Sequence, residues 1–175
     1  MLFSSITFIY FFLPLVLGVY YLLPKSMRNG WLLIASFFFY AWGEPYYLCI
    51  MLLTIVINYV AAIVVSIAPN KFKLLAVFLA IIVNLSILGY FKYFNFFVEN
   101  INLLFKGNID FIKVVMPIGI SFYTFQALSY VIDVYKGEVK AQKNIATVAL
   151  YIALFPQLIA GPIVRYKQIK DDVAT

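Results

Sequence analysis

Six stretches of this chain contain no Lys, Arg, Asp or Glu: residues 2–23, 31–43, 46–68, 74–91, 114–132 and 144–164. A helix rises about 1.5 Å per residue and a bilayer's hydrocarbon core is about 30 Å thick, so a crossing takes roughly 20 apolar residues. Five stretches reach or approach that length. The sixth, 31–43, covers only about 20 Å and reads as a short or tilted segment. β-Barrel strands would need segments of about 10 residues with alternating polarity, and Leu48-Cys-Ile-Met-Leu-Leu-Thr-Ile-Val-Ile57 does not alternate. Helices satisfy their own backbone in lipid and are the better fit. Composition agrees: 65% of the 175 residues are hydrophobic and 11% charged, against about half and a quarter in a soluble domain. The expected fold class is all-α, a multi-pass transmembrane helical bundle of about six membrane segments.

The punctuation refines the layout. The first helix, 2–23, stops at Pro24; no basic residue precedes it and no small-residue cleavage site follows, so it reads as a retained helix, not a signal peptide. The Pro24–Gly30 stretch reads as a loop, and Gly43-Glu-Pro45 ends the second segment beside Trp42, Tyr46 and Tyr47 at a membrane-interface position. Helices follow over 46–68, 74–91, 114–132 and 144–160. Between Lys92 and Val114, phenylalanines and leucines interleave with Asn95, Glu99, Asn100 and Asn102, which predicts an interfacial amphipathic helix over 93–113. Positive charge in short loops predicts an extracytoplasmic N-terminus, with Lys25, Arg28, Lys71, Lys73, Lys136, Lys140 and Lys143 inside. Arg165, Lys167 and Lys170 then fall outside. The lone Cys49 pairs with nothing internally. The net charge of +6 suits anionic lipid headgroups, since no basic cluster is dense enough for nucleic acid.

Two segments hold polar groups at membrane depth. In Pro117–Tyr135, helical spacing puts Ser121 and Thr124 near one stripe, and Gln126, Ser129, Tyr130 and Asp133 along another. Hydrogen bonding between helices and the lining of a substrate passage are both open readings. In Phe155–Tyr166, Pro156, Gly161 and Pro162 break the helix between Gln157 and Arg165, either at a simple helix end or where freed carbonyls line a cavity. Asn58 and Asn84 read as packing groups, Glu44 as solvated, and the many Phe and Tyr as lipid-facing bulk and interface anchors.

Several chemistries are excluded. Without any His there is no Ser–His or Cys–His nucleophile pair and no base suited to acyl transfer near neutral pH. Metal-ligand clusters, glycine-rich phosphate loops and GxSxG turns are missing too. No catalytic, cofactor-binding or metal-ligating residue is expected within the chain.

Five segments in register resemble the membrane-bound O-acyltransferase family, most closely its alginate O-acetyltransferase branch: Met1-Leu-Phe-Ser-Ser-Ile-Thr-Phe8; Leu33-Ile-Ala-Ser-Phe-Phe-Phe-Tyr-Ala-Trp42; Leu88-Gly-Tyr-Phe-Lys-Tyr-Phe-Asn95; Pro117-Ile-Gly-Ile-Ser-Phe-Tyr-Thr-Phe-Gln126 with Tyr130-Val-Ile-Asp-Val-Tyr-Lys-Gly137; and Phe155-Pro-Gln-Leu-Ile-Ala-Gly-Pro162 with Arg165. The resemblance implies that residues 1–175 are the N-terminal transmembrane part of such an enzyme, whose histidine-bearing catalytic part follows. It implies a multi-pass protein of a bacterial inner membrane that moves acetyl groups to hydroxyls of an exported polysaccharide. Its implied partners are lipid, an acetyl donor, the polysaccharide acceptor and either other acetylation proteins or the missing C-terminal half. Ser121, Thr124, Gln126, Ser129, Tyr130, Gln157 and Arg165 become candidate passage-lining residues, and the isolated chain is expected to be inactive. D-Alanyl transfer to teichoic acid within the same family, or a transporter-like membrane protein, are the alternatives.

Overall fold

A computed structural model describes residues 5–105, 113–160 and 164–173. Among them every regular element is helical, as expected. The helices are α1 (Phe8–Leu22), opening with a π-helical turn over Phe8–Phe12, α2 (Lys25–Gly43), α3 (Pro45–Ile67), α4 (Asn70–Phe105), α5 (Ile120–Tyr135), α6 (Ile145–Ala153), α7 (Phe155–Ala160) and α8 (Tyr166–Val173). The helices α3 and α4 are long and apolar enough to cross a membrane, and α1 is a shorter apolar helix. The helices pack into a bundle with α3 and α5 at its centre.

Three boundaries differ from those read in the sequence. Pro24 does not open a loop; it is the extended cap of α2, because proline is tolerated at a helix start, where its missing N–H is not needed. The segment 31–43 is therefore the end of a 19-residue helix, about 28 Å long. No separate interfacial helix begins at 93: residues 93–105 continue α4, whose 36 residues reach about 54 Å and overshoot the hydrocarbon core. Residues 106–112 of that expected helix lie outside the described residues. Finally, α5 begins only at Ile120, since Gly119 takes a left-handed φ of 75° at its cap.

Ahead of α5, in the non-helical stretch 113–119, side chains serve the backbone of Val114 and Ile118. The Asn95 amide donates to the Val114 carbonyl (2.7 Å) and accepts from its N–H (2.9 Å). The Ile118 N–H donates to the Glu44 carboxylate (2.9 Å), while the Tyr40 hydroxyl donates to its carbonyl (3.2 Å). Glu44 is thus a tether between the α2–α3 turn and the entry to α5, and not merely solvated. At the other end, Gly137 (φ 73°) closes α5. The Glu138 N–H donates to the Asp133 carbonyl and the Gly137 N–H to that of Val134, both at 3.0 Å, the pattern of a Schellman cap.

Two apolar clusters fill the bundle. The larger packs Met51, Ile55, Ala62 and Val65 of α3 against Val77 and Leu88 of α4 and Ile120, Ala127 and Val131 of α5. The smaller joins Phe8, Phe12 and Val16 to Ala35, Phe39 and Phe155, with ring centroids 5.3–6.0 Å apart. Between α3 and α4, Asn58 and Asn84 donate to each other (2.9 and 3.1 Å), and each also donates to the carbonyl four residues back. Replacing either one with Leu strands the other amide in an apolar interface. Each single variant is expected to lose about 0.5–2 kcal/mol, and the Asn58→Leu/Asn84→Leu pair to lose less than the two together, measured as a double-mutant cycle of unfolding in detergent.

Candidate functional site

The expected sixth helix is interrupted at Leu154, which leaves the α region at φ −56°, ψ 113°. Pro156 imposes this, because the residue before a proline and the preceding turn cannot both stay helical. A continuous helix would have joined the Phe155 N–H to the Tyr151 carbonyl. Instead each group has a partner from another helix. The Phe155 N–H donates to Ser36 Oγ of α2 (3.3 Å), and Gln126 of α5 donates to the Tyr151 carbonyl (2.6 Å). Ser36 is itself buried and donates to the Leu32 carbonyl (2.7 Å).

The second N–H of the Gln126 amide reaches Gln157 Oε1 on α7 (2.8 Å). Ser129 donates to the Gln126 carbonyl (2.8 Å) and lies 3.2 Å from the Tyr151 hydroxyl. That hydroxyl donates to the Val164 carbonyl (2.8 Å). Gly119 lets α7 approach the head of α5: a Cβ there would meet the Leu158 carbonyl oxygen at 3.0 Å. Gly119→Ala adds that clash to an unfavourable φ and is expected to lose at least about 1–3 kcal/mol. Leu158→Ala should not rescue it, because backbone oxygen remains in the way; thermal unfolding of the single and double variants checks this.

The candidate residues therefore fall into groups. Gln126, Ser129 and Gln157 share one network around the break. Tyr130 adjoins it, accepting from the Gln142 N–H (2.8 Å) with its ring 5.0 Å from Tyr166. Thr124 is buried with an unpartnered hydroxyl, Ser121 is half-buried, and Arg165 is exposed. Gly161 and Pro162 lie outside the described residues. Sequence reasoning missed Ser36, Tyr151 and Tyr166. Apart from Tyr130, the sequence reads its tyrosines as lipid-facing bulk and interface anchors; Tyr123 and Tyr151 are instead fully buried, as is Tyr130, and Tyr130, Tyr151 and Tyr166 form an edge-to-face trio. The signal for Ser36 was the clustering of small Ala35 and Ser36 within an aromatic run, where a neighbouring backbone can come close.

Beyond the break the chain turns back. Tyr166 packs on α5 and α6, and Lys167 pairs with Glu138 at 3.4 Å. The tail and the 133–143 loop thus lie at one end of the bundle, which overturns the expectation that Arg165, Lys167 and Lys170 sit opposite Lys136, Lys140 and Lys143. Helices α6 and α7 enter the bundle and return. Asp133, in the last turn of α5 beyond its uncharged stretch, is 3% exposed with Oδ2 unpartnered.

These features define a class: an all-helical membrane protein with a capped helix break at its polar centre. Relatives narrow it. The chain is 45% identical over 98% of its length to a probable alginate O-acetylase of Pseudomonas syringae pv. tomato, covering 34% of that protein. It is 41% identical over 98% of its length to a probable alginate O-acetylase of Azotobacter vinelandii, covering 36%. A peptidoglycan O-acetyltransferase of Helicobacter pylori is 34% identical over 97% of this chain, with 38% of that protein covered. The matches bear out the resemblance to the membrane-bound O-acyltransferases and their alginate O-acetylase branch, and the chain spans about a third of the length of the relatives it matches. No protein-family profile and no solved structure matches it.

Proposed function

We propose that this chain forms the N-terminal transmembrane part of an O-acetyltransferase that modifies hydroxyls of an exported bacterial polysaccharide. The supporting observation is the 41–45% identity of the first relatives, named as alginate O-acetylases, over 98% of the chain. The peptidoglycan O-acetyltransferase among the relatives widens the acceptor class to polysaccharide in general.

In this reading α1 to α5 each cross the inner membrane and the α6–α7 hairpin re-enters, giving five crossings and not six. With the tail returned to the loop end, ten of the thirteen Lys and Arg fall at that end by position, and Lys92 and Lys113 at the other. The positive-inside rule then makes the loop end cytoplasmic and the N-terminus extracytoplasmic.

The hairpin is the wall of the acyl passage. Gln126 and Gln157 fix its irregular backbone, and Ser129, Tyr130, Thr124, Ser121 and Arg165 contribute polar surface along or beside it. These 175 residues contain no His, so in this reading the proton leaving the acceptor hydroxyl goes to a residue outside them. Acetyl donor, acceptor and the remaining catalytic part are the functional partners. Co-expression with a histidine-bearing remainder is expected to acetylate the polysaccharide, while these 175 residues alone give none. In the complemented system, Gln126→Leu is expected to reduce turnover on the order of 10- to 100-fold through misplacement of the passage, with assembly verified by co-purification. Acetylation by the 175 residues alone overturns the reading.

A further inference from the structure

At the loop end, the 136–143 segment and α8 enclose a polar cavity of about 390 Å³, away from the Gln126–Gln157 network. Its lining brings together Glu138, Lys140, Gln142, Tyr166 and Lys170. The acid is already paired: Glu138 holds Lys167 at 3.4 Å. Among the described residues, neither Lys140 nor Lys170 has an ion-pair partner, and both are exposed. Tyr166 is the buried member of the lining, 2% exposed. Two ammonium groups and a side-chain amide therefore offer donors toward one space, and the lysines of the lining outnumber its one, already paired, acid. Several donors around a net positive cavity match a group with several acceptor oxygens and a full negative charge.

We propose that this cavity binds a phosphate-bearing group, carried either by an anionic phospholipid headgroup or by a soluble phosphate compound. The site is independent of acetyl transfer, and its test needs no turnover. The full chain in detergent is treated with an amine-reactive label, and modification of each lysine is followed by mass spectrometry. Two probes are compared: inorganic phosphate, and phosphatidylcholine vesicles with or without phosphatidylglycerol. Lys71 and Lys73, on the α3–α4 turn, serve as internal references.

Selective protection of Lys140 and Lys170 by inorganic phosphate supports the site and assigns a soluble phosphate compound. Selective protection only by phosphatidylglycerol vesicles supports it and assigns a lipid headgroup. Equal slowing at all four lysines, or none at Lys140 and Lys170, overturns it. Lys140→Ala is expected to raise the probe concentration needed to protect Lys170 about fivefold. Gln142→Leu, which keeps every charge, is expected to raise it several-fold for both lysines. Undiminished protection in Gln142→Leu overturns the cavity in favour of plain surface attraction.

Discussion

The hydrogen bond that α6 and α7 do not make, from the Phe155 N–H to the Tyr151 carbonyl, organises this bundle. In water such a break is cheap, because solvent takes over both groups. Inside a bilayer or a packed core an orphaned backbone group costs several kcal/mol, so the break exists only where protein supplies a donor and an acceptor. Gln126 supplies one from α5 and Ser36 the other from α2. Those two contacts fix the depth and direction of the hairpin, and the hairpin returns the chain to the end from which it entered. The Lys167–Glu138 pair and the polar cavity follow from that return.

The same rule operates at the entry to α5, where Asn95, Glu44 and Tyr40 serve the backbone of the extended stretch before it. It operates between α3 and α4, where each amide of the Asn58–Asn84 pair is bonded both to its partner and to its own helix. Against that background the exceptions carry information. The unspent buried oxygens of Tyr123, Thr124, Asp133 and Tyr166 belong to α5 or to the tail packed on it. Unsatisfied capacity is concentrated along the element that also caps the helix break, as expected of a helix that faces something more than its present neighbours.

What the sequence made legible was whatever depends on local chemistry. Uncharged runs of membrane length announced helices, and Pro156 announced a break. The polar residues of α5 announced an interior face: Gln126 is buried there, as a membrane amide must be. What stayed hidden depends on partners distant in the chain. Nothing local to Ser36 says that it meets Phe155, 119 positions away, and nothing in Glu44 foretells Ile118. The direction of the chain after the break was equally invisible. Hydropathy reports how long an apolar run is and not whether it is one helix, so residues 144–160 read as continuous where α6 and α7 are separate. Tyrosine is ambiguous for a related reason: its ring suits lipid interface and core alike, and only the packing of Tyr130, Tyr151 and Tyr166 on one another decides.

The composition of the seam also bears on what it can do. Amides and hydroxyls hold fixed dipoles but titrate far from neutral pH, so Gln126, Gln157 and Ser129 position groups without exchanging protons with them. Asp133 is the one acid on α5, and it sits in the last turn. In the proposed reading, a passage bounded by Gln126, Gln157 and Ser129 guides a polar acyl donor or acceptor without trapping a charged one, because none of these three side chains is an ion. The permanent charges lie instead toward the ends, with Lys136, Lys140, Lys143, Arg165, Lys167 and Lys170 gathered around the returned tail, where an anionic molecule would first meet the protein. Separating attraction at the mouth from neutral contact within is what transfer across a low-dielectric barrier requires, and the capped helix break permits both in one short segment of chain.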